Sequence, residues 1–319
     1  MKNKFNRLIY KEEYVKINGI DQYLFHSGIS YDNSVMLFLH GGPGQPEDLI
    51  AGVFQNKWEE IFTVVHWDQR GAGKTLIKNP DKYPTIDLML KDLYEIIKYL
   101  KKVYNKQKII ILGHSWGSAL GSTFIRKYPE DVACYIGTGQ MINMVEGEQV
   151  IYKKIKEIVF QNNDKKSIKK LEALGDYPGD KFKGDCFKKI MRMRMIMNKY
   201  NLGVKIAPST VMAVFKSPIF KLSDISALIK SNRANKGLQE FLFGFNLKSE
   251  QPEYKVPVYY ILGEDDWQTP CDVAKEYFNT IKAPHKDLYI IPNAGHMTML
   301  DQPEAFFNAL EKVKLRVEN

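Results

Sequence analysis

The stretch KIIILGHSWGSALGSTFIRKY, residues 108–128, constrains the fold more than any other part of the chain. Ile109, Ile110, Ile111 and Leu112 make a short, branched, uncharged run, the pattern of a strand covered on both faces. From Trp116 onward, small residues give way to Phe124, Ile125 and Tyr128 at helical spacing. Between the two stands Gly113-His114-Ser115-Trp116-Gly117, a G-x-S-x-G pattern. Such a pattern sets a serine on a sharp strand-to-helix turn, and the flanking glycines relieve the crowding. A glycine-rich turn that merely contains a serine reads the same over five residues. The rest of the chain must discriminate.

The same plan recurs along the sequence. A hairpin is expected over residues 13–27, turning at Asn18-Gly19. SVMLFLHGGPG and IFTVVHWDQRGAG each read as a buried strand running into a glycine-rich loop. Leu93, Ile96, Ile97 and Leu100 mark an amphipathic helix before the serine turn. VACYIGTG is a further strand, and strands alternating with helices imply a mostly parallel sheet. The rhythm stops over about 141–250, where the periodicity is helical. It resumes with VPVYYILGEDD, a helix over PCDVAKEYFNTI, the strand KDLYIIPN and a last helix from Pro303 to Val317. The expected organisation is an α/β sheet domain over 1–140 and 251–319, interrupted by a helical insertion over 141–250. The methionines of MRMRMIM within it are expected to pack between helices.

Charge and cysteine content narrow the function classes. The net charge of +9 sits largely in residues 151–200, which hold 14 Lys/Arg against 6 Asp/Glu. That is the pattern of a solvated helical face, and no nucleic-acid motif accompanies it, so nucleic acid is not an expected partner. No run approaches the roughly 18 apolar residues of a membrane span, so no membrane partner is expected. Cys134, Cys186 and Cys271 are too few and too scattered for a disulfide framework or a metal site. With a polar first segment, they predict a cytoplasmic protein. Neither metal nor cofactor is implied.

In parallel sheets, ligands bind beyond the carboxyl ends of the strands. There the sequence offers His40-Gly41-Gly42-Pro43-Gly44, then Ser115, then Gly263-Glu264-Asp265-Asp266, then Gly295-His296. A serine, an acid and a histidine at successive strand ends suit acyl transfer: the imidazole takes the serine's proton and a carboxylate holds the imidazole. The oxyanion that forms needs aimed N–H donors. Trp116 supplies one, and the glycine loop the other, through Gly42 with Gly41 as the alternative. His40 and His114 are expected to be structural, His66 packed, Glu264 solvated, and Asp68 and Arg70 partners within their loop. A pure binding protein on the same scaffold would need no such trio.

HGGPG, WDQRGAGK, GHSWGS, GEDDWQTP and NAGHMTMLDQPE together resemble the α/β-hydrolase superfamily, and more narrowly the proline iminopeptidase family. The resemblance implies an α/β-hydrolase fold: a mostly parallel eight-stranded sheet flanked by helices under an inserted helical cap. It implies Ser115 as nucleophile, His296 as general base and Asp266 as the acid, three residues after Gly263; Asp265 is the rival. The implied activity is an aminopeptidase on short peptides. The alternative is an esterase or amidase of a small metabolite.

Here the sequence departs from the family in one respect. The Trp-Glu signature that proline-specific members carry in the cap is absent. An ammonium entering a partly dry pocket needs a carboxylate. Glu146 is the first candidate, with Glu148 and Glu240 behind it, and Gly41 is a further candidate contact to substrate.

Overall fold

The computed structural model describes residues 7–179, 186–204 and 206–318. The hairpin pairs β1 (Ile9–Ile17) with β2 (Ile20–Gly28), and Asn18 and Gly19 both take positive φ at its turn. This is the backbone that a tight hairpin demands and that Asn-Gly supplies readily. β1 starts earlier than the sequence suggests. As an edge strand it exposes Tyr10, Lys11 and Glu12, and shows no clean apolar alternation.

Six parallel strands follow: β3 (Ser34–Leu39), β4 (Phe62–Asp68), β5 (Ile109–His114), β6 (Val132–Thr138), β7 (Val258–Gly263) and β8 (Lys286–Ile291). The sheet order is β1-β2-β4-β3-β5-β6-β7-β8. Along β5 the apolar run divides by parity. Ile109 and Ile111 join one core with Leu93, Ile96 and Phe124, whereas Ile110 and Leu112 join the other with Trp58, Phe306 and Leu310. Both faces are therefore covered by helices, which explains an uninterrupted hydrophobic strand.

From β3 the chain goes to β4 on one side and then crosses to β5 on the other. This reversal opens a crevice at the carboxyl ends of β3 and β5, the place where such sheets bind ligands. The glycine loop after β3 and the serine turn after β5 flank it.

Between β6 and β7, the named elements of two or more turns are helices, chiefly Met144–Gln161, Lys165–Glu172, Cys186–Lys199, Pro208–Lys216, Leu222–Ala234 and Lys236–Phe243. The segment leaves and rejoins the sheet domain at one place. Met144 N–H donates to Phe245 O at 3.2 Å, Leu247 N–H to Ile142 O at 2.8 Å, and Asn143 bridges to Asn246. Its first three helices share a core of Ile151, Ile155, Leu171, Met193 and Met197, onto which Trp267 packs. The methionine run divides: Met193 and Met197 are buried, Met191 and Met195 exposed.

Helix Leu222–Ala234 packs instead on helix Gly73–Lys78 of the sheet domain. At that junction buried Lys74 lies 3.4 Å from Asp224 Oδ2 and 3.8 Å from Asp48 Oδ2, and its own N–H donates to Asp68 Oδ2 at 2.6 Å. Three buried carboxyls share one cation. Burial pushes Asp48 up to about 6, and lifts Asp68 well above the ordinary carboxylate value.

Candidate active site

The serine turn is a steric necessity of its sequence. Ser115 has φ 53° and ψ −116°, a region that costs a non-glycine residue about 1–3 kcal/mol. Its N–H donates to Thr138 O at 3.1 Å, which ties the turn to the end of β6. The two glycines permit the close crossing of strand and helix. A methyl on Gly113 would lie 2.6 Å from Gly117 O, and one on Gly117 only 1.9 Å from Leu39 O.

Across the crevice, His296 follows β8 and Asp266 follows β7. Nδ1 of His296 stands 2.9 Å and 3.1 Å from the two carboxylate oxygens of Asp266. Asp266 also accepts the N–H groups of Gln268 and Thr269, at 2.8 and 3.0 Å, and the Thr269 hydroxyl at 2.8 Å. Burial would raise this carboxyl, but His296 and the backbone donors outweigh burial and hold it below its ordinary value. Asp265 is exposed, and so is Glu264. The structure thus sets Asp266, not Asp265, against the imidazole.

His296 packs against Gly139, where a methyl would lie 3.0 Å from Cε1, just beyond the Thr138 carbonyl that anchors Ser115. In this arrangement Ser115 Oγ makes no hydrogen bond among the described residues. Beside His296 a cavity of about 390 Å³ opens, lined by Asn201, Leu202, Trp267 and Asn293 among others.

In the glycine loop, Gly42 has φ 113° and is exposed. Gly41 N–H is engaged by Glu47 Oε2 at 3.4 Å. Trp116 opens its helix, so its N–H lacks an intrahelical acceptor. His40 orients the loop: Nδ1–H donates to Gly41 O at 2.8 Å and Nε2 accepts Gln69 N–H at 3.2 Å. His66 is buried in β4 against Gln55 Oε1, at 2.6 Å. Arg70 and Asp68 do not pair with each other. Arg70 grips Asp92 at 2.7 and 3.0 Å, because Asp92 on the helix Ile86–Val103 is fully buried and needs a cation. Asp68 turns to the start of helix Gly73–Lys78 instead.

Of the three candidate carboxylates of the insertion, two are already partnered. Glu146 binds Lys248 at 2.7 Å, and so does not stand free for an ammonium. Glu148 is buried and held by Arg194 and the Tyr177 hydroxyl. Glu240 is exposed. Two site residues escaped the sequence reading. Thr269 was foreshadowed by the Asp-x-x-Thr spacing of DWQT, which suits a side chain that accepts from backbone three residues on. Glu47 carried no signal beyond being an acid just after a glycine loop.

A G-x-S-x-G turn at the switch point, with a histidine–carboxylate pair at nearby strand ends, is an arrangement that a hydrolase of this fold class would need. Residues 34–303 match the α/β hydrolase fold family, and the chain belongs to it. Within that family the chain is similar to aminopeptidases and proline iminopeptidases. It is 28% identical over 303 residues to a probable aminopeptidase, YbaC, of Bacillus subtilis, covering 93% of this chain and 94% of that one. It is 24% identical over 307 residues to a proline iminopeptidase of Saccharolobus solfataricus, covering 95% and 91%. In structure it is similar to a proline iminopeptidase of Mycobacterium smegmatis, with a TM-score of 0.68 at 18% identity over 96% of this chain and 98% of that one.

Proposed function

We propose that the chain is a serine aminopeptidase that releases a small or prolyl N-terminal residue from short peptides through an acyl-enzyme. Ser115 Oγ attacks the carbonyl carbon while His296 Nε2 takes its proton. Asp266 keeps the other ring nitrogen protonated and steadies the imidazolium. The tetrahedral oxyanion is met by Trp116 N–H and Gly42 N–H. Collapse expels the amine, which takes the proton from His296. Water then enters, His296 removes its proton, and the ester to Ser115 is hydrolysed.

The buried, multiply bonded Asp266 on His296, at strand ends near that of the strained Ser115, is the observation that carries this reading. A carboxylate held by four donors suits the task of fixing an imidazole. The names of the relatives support the aminopeptidase part. One observation favours a second reading, an esterase or amidase of a small neutral or acidic metabolite. Glu146 and Glu148, the acids nearest the end of β6, already carry cations, and an ammonium would have to displace one.

Hydrolysis of Pro- and Ala-arylamides, set beside acetyl and butyryl esters, separates the two. Turnover of arylamides supports the aminopeptidase; turnover of esters alone defeats it. Fluorophosphonate labelling of wild type but not of Ser115→Ala tests the nucleophile in either case.

A further inference from the structure

Between the glycine loop and the loop of the base lies a buried ion pair that acyl transfer does not itself demand. His114 Nδ1 is 2.5 Å from Glu47 Oε1, and His114 Nε2 is 3.1 Å from the carbonyl oxygen of His296. A carbonyl can only accept, so Nε2 carries a proton. An ionised carboxylate can only accept, so Nδ1 carries one too. The ring is then an imidazolium donating at both ends. Burial opposes that charge, but Glu47 and the His296 carbonyl override it and hold His114 above the ordinary histidine value.

The same carboxylate reaches the glycine loop. Its other oxygen accepts Gly41 N–H at 3.4 Å. The loop lies directly on the pair: a methyl on Gly41 would sit 3.2 Å from His114 Nδ1, 3.3 Å from Glu47 Oε1 and 3.3 Å from Ser115 Cβ. The titratable groups facing His114 are Glu47, His40 at the end of β3, His296 and Asp266. Burial pushes His40 down to about 4, so it adds no competing positive charge. The His114 and His296 rings are 4.9 Å apart and tilted by 46°.

We infer that Glu47 and His114 are positioning residues: the carboxylate locks His114 as a two-pronged donor that ties the main chain of His296 to the Gly41-Gly42 turn. This rests on the Ser115–His296–Asp266 reading. It couples the two halves of the site, the base on one side and the oxyanion donor on the other, through one ring placed directly before the nucleophile. It also divides the glycines, since Gly41 N–H is taken by Glu47 and Gly42 N–H is left for the substrate. Once His114 loses a proton it keeps a single donor, and must release either Glu47 or the His296 carbonyl. The rate then falls at alkaline pH while nucleophile and fold are intact.

The test compares wild type, Glu47→Gln and Glu47→Asp by fluorophosphonate labelling rate and by kcat and KM on a chromogenic ester across neutral to alkaline pH. Glu47→Gln keeps the size and removes the charge. It should lower kcat about 10²-fold, the effect of an ångström-scale misplacement, with KM altered less than about threefold. Its alkaline decline should move to lower pH, and Glu47→Asp should recover part of the loss. An unchanged Glu47→Gln, or equal losses in both variants at every pH, overturns the inference. Should the variants not fold, ¹⁵N spectra of the wild-type histidines decide. A His114 that stays doubly protonated above the ordinary histidine value supports the pair, and one titrating at that ordinary value, about 6.5, refutes it. If wild type is not labelled at all, the serine hydrolase reading has failed instead, and the spectra still judge the pair.

Discussion

Replacing Gly117 by alanine tests whether the sharp turn at Ser115 depends on strand and helix touching. The added methyl would lie 1.9 Å from Leu39 O, 2.6 Å from Leu39 C and 2.9 Å from His40 O. All three are backbone atoms of β3 and its exit, so no side chain can swing aside. Reaching even a 3.0 Å contact requires the helix Trp116–Lys127 to retreat about 1.1 Å from β3. Overpacking of this kind costs about 1–3 kcal/mol, which in a chain this long lowers Tm by a few degrees. The retreat also carries Ser115 and Trp116 N–H away from the glycine loop, and a shift of about 1 Å lowers turnover about 10²-fold. Thermal unfolding and ester turnover, measured on the same preparation, read both effects. A Gly117→Ala protein with unchanged Tm and a rate within about twofold of wild type would show that the crossing is not tight, and the account of the turn would fall.

Three further outcomes are expected. Ser115→Ala and His296→Ala should each lower turnover about 10⁴-fold with an unchanged melting curve, and near-normal rates in either would remove it from the chemistry. Asp266→Asn should lose at least about 10²-fold and Asp265→Asn less than about threefold, judged by kcat on the same ester; the reverse order would exchange their roles. At the Lys74 junction, Asp48 and Asp68 bind protons more tightly folded than unfolded. Their contribution is full below the ordinary carboxylate value and is lost as pH rises above it, for Asp48 through about 6, so chemical denaturation at a pH series should show a decline over that range that Asp48→Asn diminishes.

Much of the sheet domain was legible because buried parallel strands leave continuous apolar runs, and glycine loops mark where those runs end. β5 and its serine turn are the clearest case. β1 was read short because an edge strand with a wet face follows weak rules. The pairing of Arg70 with Asp92 was not legible, since nothing local links a loop arginine to an acid on the helix Ile86–Val103, beyond the next one. Glu47 was missed for the same reason. Its value comes from His114, which lies 67 positions away. Glu146 looked available because it follows the end of β6 close to the catalytic edge, and only folding brings Lys248 to it. Local patterns reveal backbone, whereas charge partners are decided by tertiary contact.

The main-chain ladder joining Ile142 and Met144 to Leu247 and Phe245 has a consequence for divergence. Because the excursion exits and re-enters at a single clasp, a replacement that joins there would leave the register of β6 and β7 unaltered, provided that it also supplies buried Lys74 with a carboxylate where Asp224 stands. New ligand preferences can then arise on a chemically unchanged chassis, and that clasp is the natural splice point for building chimaeras.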